Sequence, residues 1–198
     1  MKGKTGIICA GDQELAPFIP RIKECSSAHK AMLKFYSGKL EGLEIVTLFS
    51  GVCKTNAAVA AQILIDTYGC RRVINAGTAG GIDEKLKLFD TVISTEAASR
   101  HTFPGEIHFG RMISGEAFIE YKRRDAIKAA FLPLSVDMET AAIAHVCHVN
   151  NIPFLAVRTI TDTAVHSGLE TFDENCDEAS HISADIVSAL LHEIRAAL

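Results

Sequence analysis

No stretch of this chain stays apolar for the roughly 18–20 residues that a bilayer span needs. No basic run concentrates the positive charge of a nucleic-acid or anionic-membrane surface either. Lysines and arginines are scattered, the formal net charge is −4 and the pI is near 6.1. The opening residues, Met1-Lys-Gly-Lys-Thr-Gly-Ile-Ile8, lead straight into a predicted strand and lack a signal-peptide pattern. None of the six cysteines forms a Cys-x-x-Cys pair, and several sit in apolar runs as small core residues do. That usage suggests a reducing cytoplasm and no disulfide framework. Three catalytic signatures are also missing. The glycines of Asn75-Ala-Gly-Thr-Ala-Gly-Gly81 lack the Gly-x-Gly-x-x-Gly spacing of a dinucleotide site, which argues against an NAD-type dehydrogenase. No Lys-Ser or Lys-Thr closes that turn as a P-loop, and no Gly-x-Ser-x-Gly elbow supports a serine nucleophile.

What is present is a core-rich sequence of 198 residues, 48% hydrophobic, with a mean hydropathy of +0.19. Apolar strands are predicted at 5–10, 72–76, 90–97 and 154–160, alternating with helices at 55–68, 121–131, 138–150 and 173–197. A hairpin is expected from 33–40 and 43–50 around Glu41-Gly42. Brief strands are expected at 112–114 and 134–136, and irregular structure at 99–110 and 161–168. Most strands are apolar throughout, the mark of a sheet covered on both faces. The fold class is therefore α/β. We expect a single domain over 1–198, with a mixed, largely parallel central sheet flanked by helices.

Ligands of open α/β sheets sit outside the carboxyl ends of the strands. Glu14, the Gly77–Gly81 turn and Asp162 each follow such an end. The glycines either let a backbone approach a ligand, with Thr78 offering a hydroxyl, or form no more than a tight strand-to-helix turn. Asp162 would be partly desolvated, so it could hold a proton near neutral pH, or it could simply cap a loop. Arg158 lies inside an apolar strand and must be paired, with Glu14 or a bound ligand as candidates. Asp137 can serve as N-cap of a helix beginning at Met138, leaving Glu139 in a first turn that favours an ionised carboxylate. His145 and His148 stand at i and i+3 without a carboxylate partner, a poor pattern for a metal, and we expect no metal site.

Seven segments then occur in a telling order: Gly6 to Glu14, Ser50 to Lys54, Asn75 to Gly81, Ser114 to Ile119, Val136 to Glu139, Ala144 to His148 and Val157 to Asp162. Together they resemble the 5′-methylthioadenosine/S-adenosylhomocysteine nucleosidases of the nucleoside phosphorylase superfamily. The resemblance covers nearly the whole chain. It implies hydrolysis of a purine N-glycosidic bond through an oxocarbenium-like transition state, without metal or organic cofactor, by a homodimer. The partner it implies is a small purine nucleoside, with no nucleic acid and no membrane.

Asp162 matches the family's general acid and Glu14 the acid/base that holds the attacking water. Glu139 matches the acceptor of the ribose hydroxyls, with Met138 against the sugar. Phe118 matches the ring stacked on the base and Ile119 the backbone that reads its edge. Val52, Thr78 and Phe172 match wall positions, and Arg158 would help to position the water and Glu14. Three features depart from the pattern. Gly11 stands where the family has Met, the stretch between His101 and Ser114 is short, and the apolar residues that this stretch lends across a dimer are not recognisable. A phosphorylase of the same fold and a catalytically silent nucleoside-binding protein are the alternatives.

Overall fold

Ile7 and Ile8 are both fully buried, yet they belong to different apolar clusters. Successive side chains of a strand point to opposite faces, so this pair requires cover on both sides of the sheet. The computed structural model describes residues 3–94, 104–117, 119, 121–163 and 169–197. The described elements run β1 (Lys4–Cys9), α1 (Asp12–Leu15), a 3-10 turn (Ile19–Arg21), β2 (Lys23–Lys30), β3 (Leu33–Leu40), β4 (Leu43–Phe49), α2 (Lys54–Asp66) and β5 (Cys70–Gly81). They continue with β6 (Thr91–Ile93), β7 (Ile107–Phe109), β8 (Met112–Ser114), α3 (Tyr121–Phe131), β9 (Ser135–Asp137), α4 (Thr140–Val149), β10 (Phe154–Asp162) and α5 (Leu169–Ala196).

The strands form one sheet in the order β2-β3-β4-β1-β5-β10-β6-β7, with β9 on β5 and β8 on β9. Its centre, β4-β1-β5-β10, is parallel, and antiparallel pairs join β2 to β3, β3 to β4, β10 to β6 and β5 to β9. This is the mixed sheet flanked by helices that the apolar strands called for. On one face Ile7, Ile74 and Val157 pack with Leu15 of α1 and with Ile182, Ile186 and Val187 of α5. On the other, Ile8, Val46, Leu48 and Val73 pack against α2 and α4. α2 turns Ala57, Ala60, Ala61 and Leu64 inward, the i, i+3, i+4, i+7 stripe of an amphipathic helix. Cys70 and Cys147 belong to this layer, and burial pushes their thiols up to about 12, so they act as small apolar fillers.

The expected hairpin is present, with positive φ at Glu41 (50°) and Gly42 (77°), as a two-residue turn of the I′ kind requires. β2 was not anticipated, because all eight of its side chains are exposed and none packs into the core. The expected strand-to-helix turn at Gly77–Gly81 is instead the continuation of β5. α4 begins at Thr140 rather than Met138, β10 runs on to Asp162, and α5 begins at Leu169. The expected strand over 90–97 is observed as Thr91–Ile93, and its last residues lie outside the described set. The region expected to be irregular contains β7.

Candidate active site

β1, β5 and β10 are parallel neighbours, so their carboxyl ends lie along one edge of the sheet. There a cavity of about 260 Å³ opens. Glu14, Val52, Thr78, Ile119, Met138, Glu139, Asp162 and Phe172 all line it. Phe118 lies outside the described residues. Arg158 does not line the cavity: it is fully buried behind the carboxylates.

Glu14 stands in the single turn of α1, only 5% exposed. One carboxylate oxygen accepts from the Thr78 N–H (2.7 Å) and the Thr78 hydroxyl (2.8 Å). The other accepts from the N–H groups of Ala10 (2.6 Å) and Gly11 (3.3 Å). This approach explains why β5 carries glycine at its end. A Cβ on Gly77 would stand 2.3 Å from Glu14 Oε1, and its φ of +143° is one that side chains avoid. The glycine segment therefore makes room for the protein's own carboxylate.

Arg158 of β10 is the hub beneath the floor. Its Nη2 lies 2.9 Å from Asp137 Oδ2 and 3.2 Å from Glu139 Oε2, and its Nη1 lies 3.5 Å from Glu14 Oε1. Burial opposes its charge, and the carboxylates of Asp137, Glu14 and Glu139 outweigh that, raising its pKa above the ordinary value. Glu139 occupies the N-cap position of α4 but caps nothing with its side chain. Asp137, the last residue of β9, does that work by accepting from the Thr140 N–H at 3.2 Å and from the Thr140 hydroxyl. Glu139 thus stands one position ahead of the expected first turn. Burial raises its pKa, and the Arg158 charge and the Cys53 N–H oppose the rise only in part.

The Cys53 N–H donates to Glu139 Oε1 at 2.8 Å from a strained backbone, φ 81° and ψ 159°. This region is close to glycine-only and costs on the order of 1–3 kcal/mol for another residue. Cys53→Gly is therefore expected to raise the unfolding free energy by about 1 kcal/mol once the extra freedom of unfolded glycine is set against the relieved strain. The urea midpoint measures it, and a lower midpoint would show that the thiol side chain packs usefully.

Asp162 is 2% exposed at the end of β10. Burial raises its pKa, and the charge of Arg124 and hydrogen bonds from Arg124 and Thr161 hold back the rise. Arg124 Nη2 donates to Asp162 Oδ2 at 2.7 Å, and the Thr161 hydroxyl reaches Oδ1 at 3.3 Å. Gly80 repeats the role of Gly77, since a Cβ there would stand 3.1 Å from Oδ2. Gly11 differs: a Cβ there would meet nothing within 4 Å, so the position that departs from the family pattern faces open space.

Two site residues escaped the sequence reading. Asp137 was legible only as a cap, although it is also the nearest carboxylate to Arg158. Arg124 sits in a run, Lys122-Arg-Arg-Asp125, that reads as a solvated face. Its one signal was position: it precedes Ile127 and Lys128 by three and four residues, on the helix face where burial is greatest.

Four buried carboxylates around one cavity, all of them tied to the two buried guanidinium groups of Arg158 and Arg124, point to acid–base chemistry on a small molecule. The family profile described as the phosphorylase superfamily matches residues 4–111 and 98–192. That assigns the class. Among curated proteins, the 5′-methylthioadenosine/S-adenosylhomocysteine nucleosidase of Halalkalibacterium halodurans is 32% identical over 227 residues, covering 95% of this chain and 97% of the relative. The enzyme of that description from Staphylococcus carnosus is 30% identical over 226 residues, covering 96% and 99%. Among solved structures, the S. pneumoniae nucleosidase with the transition-state inhibitor MT-ImmA superimposes with a TM-score of 0.88 at 27% identity, covering 96% of this chain and 98% of that one. The chain belongs to the 5′-methylthioadenosine/S-adenosylhomocysteine nucleosidase family, and it is an N-glycosyl hydrolase. The aligned span of 227 residues exceeds the chain's 198, so the relative carries residues absent here. The two profile matches overlap at 98–111, a span that runs into the shortened stretch between His101 and Ser114.

Proposed function

We propose that this protein hydrolyses the N-glycosidic bond of adenine nucleosides, releasing free adenine and the ribose moiety. The candidate substrates are 5′-methylthioadenosine, S-adenosylhomocysteine and 5′-deoxyadenosine. The reading takes 1–198 as one catalytic domain, acting in the cytoplasm as a homodimer.

The observation that carries the reading is the meeting of Glu14, Glu139 and Asp162 on one cavity. Adenine leaves poorly as an anion, so Asp162 gives its proton to N7 as the C1′–N9 bond stretches. Its raised pKa suits it to carry that proton toward neutral pH. Glu14 takes a proton from the water that attacks C1′. The 3.3 Å bond from Gly11 is the longest that Glu14 accepts and the one a water displaces. Glu139 accepts from the ribose hydroxyls and Met138 packs on the sugar. Phe118 stacks on the base, Ile119 reads its edge through the backbone, and Val52, Thr78 and Phe172 form walls. Arg158 acts from behind, holding Glu14 and Glu139 in place.

Water rather than phosphate is the nucleophile. Arg124 and Arg158 are both engaged by carboxylates, and the Thr78 N–H and hydroxyl are committed to Glu14. A phosphate entering there would meet four acidic side chains. The test is adenine release from 5′-methylthioadenosine with and without phosphate. Equal rates and a free sugar product are expected. Strict phosphate dependence, with a sugar 1-phosphate formed, would make the protein a phosphorylase.

A further inference from the structure

Arg124 is the one fully buried side chain among those described on α3, whose other described side chains are half-buried or exposed. Burying a guanidinium is costly, and an apolar side chain would anchor a helix more cheaply. This one lines the cavity and spends its hydrogen bonds at the reaction's acid. Nη2 donates to Asp162 Oδ2 at 2.7 Å and Nη1 to the carbonyl of Gly81, while Nε is buried with no partner among the described residues. On the other oxygen, Oδ1, the Thr161 hydroxyl stands at 3.3 Å, and it can donate instead to the Ala79 carbonyl at 3.4 Å. That hydroxyl can therefore give a hydrogen bond to Oδ1 or turn away and accept one. Oδ2, facing a donor that cannot reverse, has no such freedom.

We infer that Arg124 is a positioning residue for the reaction, confining the transferable proton of Asp162 to Oδ1 and setting the pH range over which the acid is loaded. The inference rests on the assignment of Asp162 as the proton donor. Arg124 is the charged group in contact with Asp162. The segment of β5 packed beside it offers only Gly80 and Gly81, and α5 brings Leu169 and Phe172 to the same cavity and Asn175 to the Thr161 carbonyl. Glu14 and Glu139 line the cavity without bonding to Asp162.

An opposite charge at this distance shifts a carboxyl by on the order of 1–3 units. The sign follows. Removing Arg124 lets Asp162 keep its proton to higher pH, so the alkaline limb of kcat/KM for base release moves up. Arg124→Met and Arg124→Gln are each expected to move that limb upward by about one unit or more. Arg124→Lys, which keeps the charge, should leave it within about 0.3 unit. A 13C carboxyl titration of Asp162, assigned with Asp162→Asn, provides a readout that needs no turnover. Its midpoint should rise in the two neutral variants. Both limb and midpoint unmoved in a folded neutral variant would overturn the inference, reducing Arg124 to a helix anchor. Arg124→Gln serves if Arg124→Met does not fold. A wild-type protein that releases no base would instead refute the proposed reaction, and the titration would still decide the role of Arg124.

Discussion

Asp162→Asn is expected to lower kcat for adenine release by at least about a hundredfold, and by as much as about 10⁴-fold, while nucleoside binding persists. Asparagine has the shape of aspartic acid, and its amide can donate a hydrogen bond to N7. It cannot complete the transfer, so the bond to N9 must break against a poor anionic leaving group. The effect should therefore fall on kcat rather than on Kd. Calorimetric titration with 5′-methylthioadenosine, alongside chromatography of released base, separates the two. Turnover within tenfold of wild type would show that the proton comes from elsewhere. A wild-type protein that binds the nucleoside yet never cleaves it would favour a silent binding protein. Asp162→Asn also strips Arg124 of its buried counter-charge, so binding should be measured at a temperature where circular dichroism shows the variant folded.

Arg158→Met should destabilise the protein by about 3–5 kcal/mol at neutral pH, the cost of leaving buried charge uncompensated. The side chains of Asp137, Glu14 and Glu139 that face Arg158 are between 2% and 6% exposed. Without the guanidinium the three carboxylates would repel one another in a desolvated space, and Glu139, whose pKa burial already raises, would be pushed higher still. A raised carboxyl contributes stability below its unfolded pKa and loses it as pH rises through the folded value. The deficit should thus be smallest near pH 4 and grow toward neutrality, a trend that urea unfolding at a series of pH values would record. A deficit under about 1 kcal/mol at pH 7.5 would mean that the three carboxylates do not depend on Arg158. Glu139 already shows the balance in the wild-type protein: its pKa is raised by burial, and Arg158 is the largest influence restraining it.

Arg158 also illustrates what a linear reading can and cannot reach. An arginine inside the apolar run Phe154–Ile160 demands a partner wherever the chain folds, because no buried guanidinium is stable alone. Glu14 could be named as a candidate on that ground. That two further carboxylates share the same cation depends on where β9 and the start of α4 pass. That is long-range geometry with no local trace. Asp137 shows the ambiguity in miniature. Its position before an apolar helical pattern reads as a cap, and it does cap, yet the same carboxylate binds Arg158.

The sequence by itself determined the parts whose causes are local. Unbroken apolar strands separated by amphipathic helices can be satisfied only by a sheet covered on both faces, and Ile7 and Ile8 report that directly. Acidic residues just past strand ends, in an order shared with the nucleosidases, pointed to Glu14 and Asp162, which line one cavity. The tertiary structure alone decided the rest, because the deciding contacts join residues far apart in the chain. It turned the glycines at 77 and 80 from an expected strand-to-helix turn into clearance for Glu14 and Asp162. It also drew Arg124 out of a basic, seemingly solvated run to face Asp162. That α3 and β10 meet through this buried ion pair cannot be read from either segment, since what stabilises it is the low-dielectric space that exists only after both have packed.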